Sequence, residues 1–290
     1  MRNLLLQLDS SPLPSVFDQV VAYDGGADVI MSYGGITPDL VRDLVHGCIF
    51  TRGLKELKHT AIWIGGASMT DGEALLVAAK AAVFEPFTVS MMLDSNGANT
   101  TAVAGVVKIE ETVGDVRGKR AVVIAGTGPC GMRAAGLLAR IGADVLITSR
   151  REEDGVKARE AIMARFGGTV SSLLLREASQ LEAVMDGAQI LFNAGPAGVQ
   201  LVPAAKWQGR AGLEVAVDLN AVPPLGIEGI EINDHAKEIG GTVCYGAIGG
   251  VGNFKTKLHK ACIAQLFTAK NLILDAEAIY AVAKEMSAAR

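Results

Sequence analysis

Residues 119–151, KRAVVIAGTGPCGMRAAGLLARIGADVLITSRR, decide the fold. Val122, Val123 and Ile124 form a short apolar run of the kind buried on both faces of a parallel sheet. Gly126, Gly128 and Gly131 follow as G-x-G-x-x-G. Residues 132–141 carry a helical apolar pattern that Gly142 ends, and residues 143–148 read as a second strand. In such a unit the first glycine allows the tight turn and the second lets backbone approach a pyrophosphate. The third lets the helix pack close to the strand, and the helix N-terminus faces the phosphates. A lone glycine motif is weak evidence, but both strands and the helix flank this one, which predicts dinucleotide binding. Gly126, Thr127, Gly128, Pro129, Cys130, Gly131 and Met132 span this turn and are the candidate cofactor-binding residues.

The end of the second strand selects among dinucleotides. An NAD site usually places Asp or Glu about 20 residues past the glycines, on the ribose 2′-hydroxyl. This chain has Ser149, Arg150 and Arg151 instead. A hydroxyl and a guanidinium suit a 2′-phosphate, whose dianion a carboxylate would repel. NADP is therefore the expected cofactor, with NAD the weaker one. The competing reading is a solvated basic turn balanced by Glu152, Glu153 and Asp154.

Composition sets the outer bounds. The chain has 290 residues, 50% of them hydrophobic, enough for two domains that each bury a core. Its formal net charge of -4 argues against nucleic-acid binding, which normally shows a basic patch or stripe. The opening residues MRNLLLQLDSS turn acidic too soon for a secretory signal, and no apolar window is long enough to span a membrane. A cytoplasmic location is expected. Cys48, Cys130, Cys244 and Cys262 form no C-x-x-C pair and stand at no zinc-ligand spacing to the histidines. Neither a metal nor a disulfide is required.

The rest of the chain alternates in the same way. Residues 3–8, 60–64 and 87–93 read as strands, and 37–48, 71–83 and 99–113 as helices. Residues 114–118 are a plausible hinge. Further strands at 171–175, 189–193 and 215–218 alternate with helices at 156–166 and 179–186. A last strand at 242–246 precedes a glycine-rich turn at Gly249, Gly250 and Gly252, with a long helix from Lys257 and a closing helix at 275–286. The expected fold is α/β with two domains. An N-terminal α/β substrate domain covers 1–112, and a Rossmann-type doubly wound parallel sheet covers 113–271. The helix within 272–290 is expected to pack back on the first domain. Ligands are expected at the carboxyl ends of the strands and in a cleft between the domains.

Other groups stand at strand ends. Ala194 and Gly195 follow one strand of the nucleotide domain, and Asn220 follows the next, consistent with the lining of one cofactor groove. In the first domain, Asp94, Asn96, Asn99 and Thr100 lie in the densest polar cluster, DSNGANTT. They read either as an Asx-rich turn with helix caps or as a pocket for a polar heterocycle. Asp18 is a helix-start carboxylate or a site group. Lys255 is the better site candidate among Lys255, Lys257 and His259, the last two reading as a solvated face. His46, His59 and His235 show no partner pattern. No Ser-His-Asp order, metal cluster or P-loop is present. That absence fits hydride transfer, in which the cofactor supplies the reactive atom.

The blocks YDGGAD (23–28), FTRG (50–53), LDSNGANTTA (93–102), AGTGPCGMR (125–133), DLNAVPPLGI (218–227) and KLHKACI (257–263) resemble the bacterial methylene-tetrahydromethanopterin dehydrogenases. They run in order over almost the whole chain. The likeness is to the NADP-dependent branch that accepts both tetrahydromethanopterin and tetrahydrofolate. It implies oxidation of methylene- to methenyl-tetrahydromethanopterin in the formaldehyde oxidation of methylotrophs, and a homo-oligomer, trimer or hexamer. It implies that Lys255 lies beside the pterin and that Asp18 offsets developing positive charge or holds the pterin amino groups. Asp94, Asn96, Asn99 and Thr100 would shape the pocket. Some folate dehydrogenases also hydrolyse the methenyl product with a lysine four residues after a tyrosine. Tyr23 and Tyr33 lack that lysine, so no cyclohydrolase activity is expected. The readings left beside this one are a methylene-tetrahydrofolate dehydrogenase and a non-catalytic NADPH-binding sensor; a shikimate-type dehydrogenase would need a first-domain Lys-Asp pair, which the sequence does not place there.

Overall fold

Most strands of the two sheets are apolar runs of four to six residues, too short for helices and bounded by turn residues. The computed structural model describes residues 1–288. In chain order they form β1 (Leu4–Asp9), α1 (Val16–Asp24), β2 (Val29–Tyr33), α2 (Pro38–Ile49), β3 (Thr60–Gly65), α3 (Met69–Ala82), β4 (Ser90–Leu93) and α4 (Ala98–Val113). Then follow β5 (Arg120–Ile124), α5 (Pro129–Arg140), β6 (Asp144–Ser149), α6 (Glu152–Phe166), β7 (Thr169–Leu174), α7 (Leu181–Val184), β8 (Ile190–Asn193) and β9 (Val215–Asp218). The chain continues through β10 (His235–Ile239), β11 (Thr242–Tyr245), α8 (Asn253–Leu266), β12 (Ile273–Leu274) and α9 (Ala276–Ala288).

The chain divides into two compact units, Met1–Thr100 with the segment from Thr256 onward, and Thr101–Lys255. Both divisions fall inside helices, α4 and α8, rather than at the glycines of 114–118 or at residue 271. The first unit holds a parallel sheet in the order β12-β4-β3-β1-β2. Its edge strand β12 comes from the far end of the chain. The Met91 N–H donates to the Leu272 carbonyl at 2.8 Å, and the Ser90 hydroxyl donates to the Ala269 carbonyl at 2.9 Å. Trp63 is fully buried in this unit.

The second unit holds a sheet in the order β10-β11-β9-β8-β5-β6-β7, parallel except for β10 against β11. Chain order reverses at β5, between β6 and β8, which makes a doubly wound sheet with its switch point at the glycine turn. Ile124, Leu146, Leu191, Ala216 and Trp207 pack in one buried cluster beside it.

Several details depart from the sequence reading. α3 starts at Met69 rather than Asp71, because the Ser68 hydroxyl accepts the Asp71 N–H at 3.2 Å and caps it. The glycine-rich stretch before α8 is a π-helical turn, Ala247–Gly252, not an open turn. A Cβ on Gly250 would stand 2.9 Å from the Asp234 carbonyl and 2.7 Å from the Tyr245 side chain. That close approach, rather than a positive φ, requires glycine there. α8 therefore starts at Asn253, and Lys255 lies in its first turn. Strands β2, β10 and β12 were not foreseen. β10 is exposed and polar, an edge strand blunted by charge and a bulge, so it lacks the apolar signal.

Candidate functional site

The nucleotide unit carries a cavity of about 430 Å³ at its switch point. Ile124, Ala125, Leu175, Ala194, Pro196, Val199 and Leu201 make its apolar walls, and Thr127, Gly128, Pro129, Thr148, Ser149 and Arg150 complete it. The walls suit a flat aromatic ring, and the polar members come from the glycine turn (Thr127) and from the end of β6 (Thr148, Ser149 and Arg150). The three glycines do different work. A Cβ on Gly126 would stand 2.5 Å from the Ile147 Cβ, and one on Gly131 would stand 2.8 Å from the Ala125 carbonyl and from the Gly126 Cα. A Cβ on Gly128 would meet nothing nearer than 3.7 Å. Gly126 and Gly131 thus bring helix and strand together, while Gly128 leaves its face open to a ligand. Gly128 is also the N-cap of α5, a residue with no side chain to cap that helix end. The site therefore fits a dinucleotide diphosphate.

Around this turn Thr148 acts as a clamp. Its hydroxyl accepts the Ala125 N–H at 2.9 Å and its carbonyl accepts the Gly126 N–H at 3.1 Å. Ala125 is held at φ 54°, a left-handed conformation that an L-residue adopts only under such constraint.

The remaining cofactor candidates divide. Thr127, Gly128, Pro129, Ser149, Arg150 and Ala194 line the cavity; Gly126, Cys130, Gly131, Met132, Arg151, Gly195 and Asn220 do not. Met132 lines an open groove with Thr127, Asp154 and Lys157. Arg151 pairs with Asp154 at 2.7 Å, its side chain 76% exposed. Asn220 is a staple between loops. Its Oδ1 accepts the Gly198 and Val222 N–H groups at 3.3 and 3.0 Å, and its Nδ2 donates to the Pro196 and Pro224 carbonyls. The Gly195 N–H donates to Asn193 Oδ1 at 3.1 Å. Behind these loops, Asn193 Nδ2 donates to Asp218 Oδ1 at 2.8 Å, and Asp218 also accepts the Asn220 and Ile227 N–H groups. Burial pushes the Asp218 carboxyl above the usual carboxylate range, against the opposing pull of these hydrogen bonds.

In the first unit the carboxyl ends of β1, β3 and β4 carry Asp9, Gly65 and Asp94. Asp9 and Asp18 both approach Gly65. The position a Cβ would take there lies 3.3 Å from Asp9 Oδ2 and 3.7 Å from Asp18 Oδ2. Asp9 orders the loop leading to α1: its oxygens accept the Ser11 N–H at 2.7 Å and the Ser15 N–H at 3.3 Å. Ser15 in turn caps α1 through the Asp18 N–H. Asp94, Asn99 and Thr100 are buried and bonded inward. The two Asp94 oxygens accept the Thr100 N–H at 3.0 Å and the Thr100 hydroxyl at 2.6 Å, and Asn99 Nδ2 donates to the Leu93 carbonyl at 2.5 Å. Asn96, left-handed at φ 55°, is the exposed member of that cluster.

The solvated-face reading of His259 is corrected. It is buried, 4.5 Å from the Trp63 ring and with Nε2 4.0 Å from Asp94 Oδ2. Lys257 is exposed and Lys255 half-buried. The Cys48, Cys244 and Cys262 thiols are buried, which pushes Cys48 to about 11, Cys244 to about 12 and Cys262 upward as well. All three are poor nucleophiles.

Comparison with known proteins agrees with this layout. Residues 16–96 match the family described as methylene-tetrahydromethanopterin dehydrogenase, N-terminal, and residues 119–166 match an FAD binding domain. The chain is 49% identical over 288 residues to the bifunctional protein MdtA of Methylorubrum extorquens, covering 99% of each. It is 31% identical over 297 residues to the NAD(P)-dependent methylenetetrahydromethanopterin dehydrogenase of the same organism, again covering 99% of each. The chain belongs to the methylene-tetrahydromethanopterin dehydrogenase family. Solved structures add the fold: quinate dehydrogenase from Corynebacterium glutamicum matches with a TM-score of 0.54 at 13% identity, covering 98% of this chain and 99% of that one. The 5-ketofructose reductase of Gluconobacter sp. matches with a TM-score of 0.53 at 14% identity, covering 99% of each. No helix among the described residues is long and apolar enough to cross a membrane.

For this family member, sequence reasoning missed Asp9, Thr148, Leu175, Val199 and Leu201 as groups at the two sets of strand ends. Asp9 and Thr148 stood at or beside the ends of strands already recognised, which was the available signal. The apolar cavity wall carried none.

Proposed function

We propose that this protein takes a hydride from the methylene carbon of methylene-tetrahydromethanopterin and passes it to NADP⁺, giving the methenyl form and NADPH. It is a dehydrogenase with a nicotinamide cofactor and a pterin one-carbon substrate, as its family membership at 49% and 31% identity supports. The choice of NADP rests on one observation. Where an NAD site would hold a carboxylate, Ser149 and Arg150 line the cavity, and Arg150 has no acidic partner among the described residues.

When bound, the nicotinamide supplies the carbon that accepts the hydride. The substrate carbon lies between two nitrogens, so the cation left behind is delocalised and no side chain has to move a proton. The protein's part is then orientation and electrostatics. Thr127, Gly128 and Pro129 would hold the diphosphate at the start of α5. The Asp18 carboxylate, with Asp9 near it, supplies negative potential for the developing cation. Lys255 positions the pterin rather than stabilising that cation, since its own charge would oppose it.

The test mixes the purified protein with methylene-tetrahydromethanopterin and NADP⁺ and follows NADPH absorbance. Turnover is expected, faster than with NAD⁺. Methylene-tetrahydrofolate is run as a second carrier, because it presents the same methylene carbon between two nitrogens on a reduced pterin. Tight NADPH binding without turnover on either carrier would refute the enzyme reading in favour of a sensor. Accumulation of the methenyl product without its hydrolysis is the expected end point.

A further inference from the structure

We infer that Arg176, rather than Arg151, is the second cation that reads the ribose 2′-phosphate beside Arg150; this rests on the NADP reading above. Strand β7 runs parallel to β6 with Leu174 opposite Ser149, and the Leu175 N–H continues the ladder to the Ser149 carbonyl at 2.8 Å. The next residue, Arg176, therefore arrives beside Arg150. Its Nε donates to the Arg150 carbonyl at 2.9 Å. One of the five guanidinium donors is thus spent on fixing the plane of the group, and its Nη donors have no protein partner among the described residues.

The backbone that carries Arg176 is held as well. Its N–H donates to Gln180 Oε1 at 2.6 Å, and Gln180 forms a reciprocal capping box with Glu177. The neighbouring acid is therefore engaged with main chain. Arg151 is arranged differently. Its Nε is committed to Asp154, so a dianion approaching Arg151 also meets that carboxylate. Arg150 and Arg176 together present two positive charges to a group of two negative ones, at the rim where Ser149, Arg150 and Leu175 line the cavity. Arg176 escapes a motif search because it is 26 positions from Arg150 and reaches it only through strand pairing.

Calorimetric titration with 2′,5′-ADP and with 5′-AMP tests this without catalysis. The unaltered protein is expected to prefer 2′,5′-ADP. Arg176→Ala should weaken 2′,5′-ADP about tenfold, as loss of charged hydrogen bonds to a phosphate does, and leave 5′-AMP unchanged. Arg176→Gln, which keeps a donor for the Arg150 carbonyl but removes the charge, should show the same loss. Unchanged 5′-AMP binding reports that the site is still folded. If Arg151→Ala abolishes the preference while both Arg176 variants keep it, the inference is overturned and the NADP reading stands. If the unaltered protein shows no preference at all, the NADP reading itself fails.

Discussion

At the carboxyl ends of β5, β6 and β8 the chain presents glycine backbone and apolar walls, whereas at the ends of β1, β3 and β4 it presents carboxylates flanking a single glycine. Both are strand ends of parallel sheets, where ligands gather. The first plan brings backbone and apolar surface to the strand ends, and its close approaches depend on the absence of side chains at Gly126 and Gly131. The second uses side chains, and most of these also hold the loops in place. Asp94 accepts two hydrogen bonds from Thr100, and Asp9 accepts those of the Ser11 and Ser15 N–H groups. A carboxylate at a strand end is thus no guarantee of a ligand contact.

The sharpest way to break this contrast is at the glycines. Gly131→Val drives a side chain into the Ala125 carbonyl and the Gly126 Cα, so it should abolish NADPH binding and cost about 3 kcal/mol of stability. Gly128→Ala should spare the fold to within about 0.5 kcal/mol yet weaken NADPH binding. Urea unfolding and NADPH fluorescence titration separate the two; equal destabilisation would refute the division of labour. Next, Asp94→Ala strands the buried N–H of Thr100 and leaves its hydroxyl only the Gly97 carbonyl at 3.4 Å, and should cost about 2–4 kcal/mol in urea unfolding. Asp18→Asn keeps the N–H that Ser15 caps, so kcat should fall about a hundredfold with little loss of stability. An unchanged kcat would leave Asp18 as a helix-start residue only. Lys255→Ala should raise KM for the pterin about tenfold with a smaller change in kcat, as for loss of uniform binding.

The smallest effect is a slope. Asp218 has a folded-state pKa raised above its unfolded value, so the native state binds more protons between the two. Its contribution to stability is then greatest below the usual 3.8 and falls as pH rises through that window. Urea unfolding at several acidic pH values, with Asp218→Asn as reference, should show the advantage of the unaltered chain shrinking as pH rises. The opposite slope would mean that the hydrogen bonds from Asn193, Asn220 and Ile227 outweigh burial.

The β5–α5–β6 unit was legible because its function lies in backbone geometry, and only glycine supplies that geometry. Asp94 and Thr100 were ambiguous for the converse reason: Asp, Asn and Thr serve helix ends and ligands equally, and only burial distinguishes them. His259 was hidden by its neighbours Lys257 and Lys260. Its helical period was present all the same, since His259, Cys262, Ile263 and Leu266 are buried at i, i+3, i+4 and i+7. β12 is two residues long and leaves no pattern of its own.

That short strand also sets an order of assembly. The nucleotide unit is one unbroken segment, so every strand of its sheet has been synthesised by residue 255. The first sheet has four of its strands by residue 93 but waits for residues 273–274 to cover the edge of β4. During translation, therefore, the apolar residues Met91, Met92 and Leu93 stand at a bare sheet edge while the whole nucleotide unit is being made. The unit begun first on the ribosome is the one finished last.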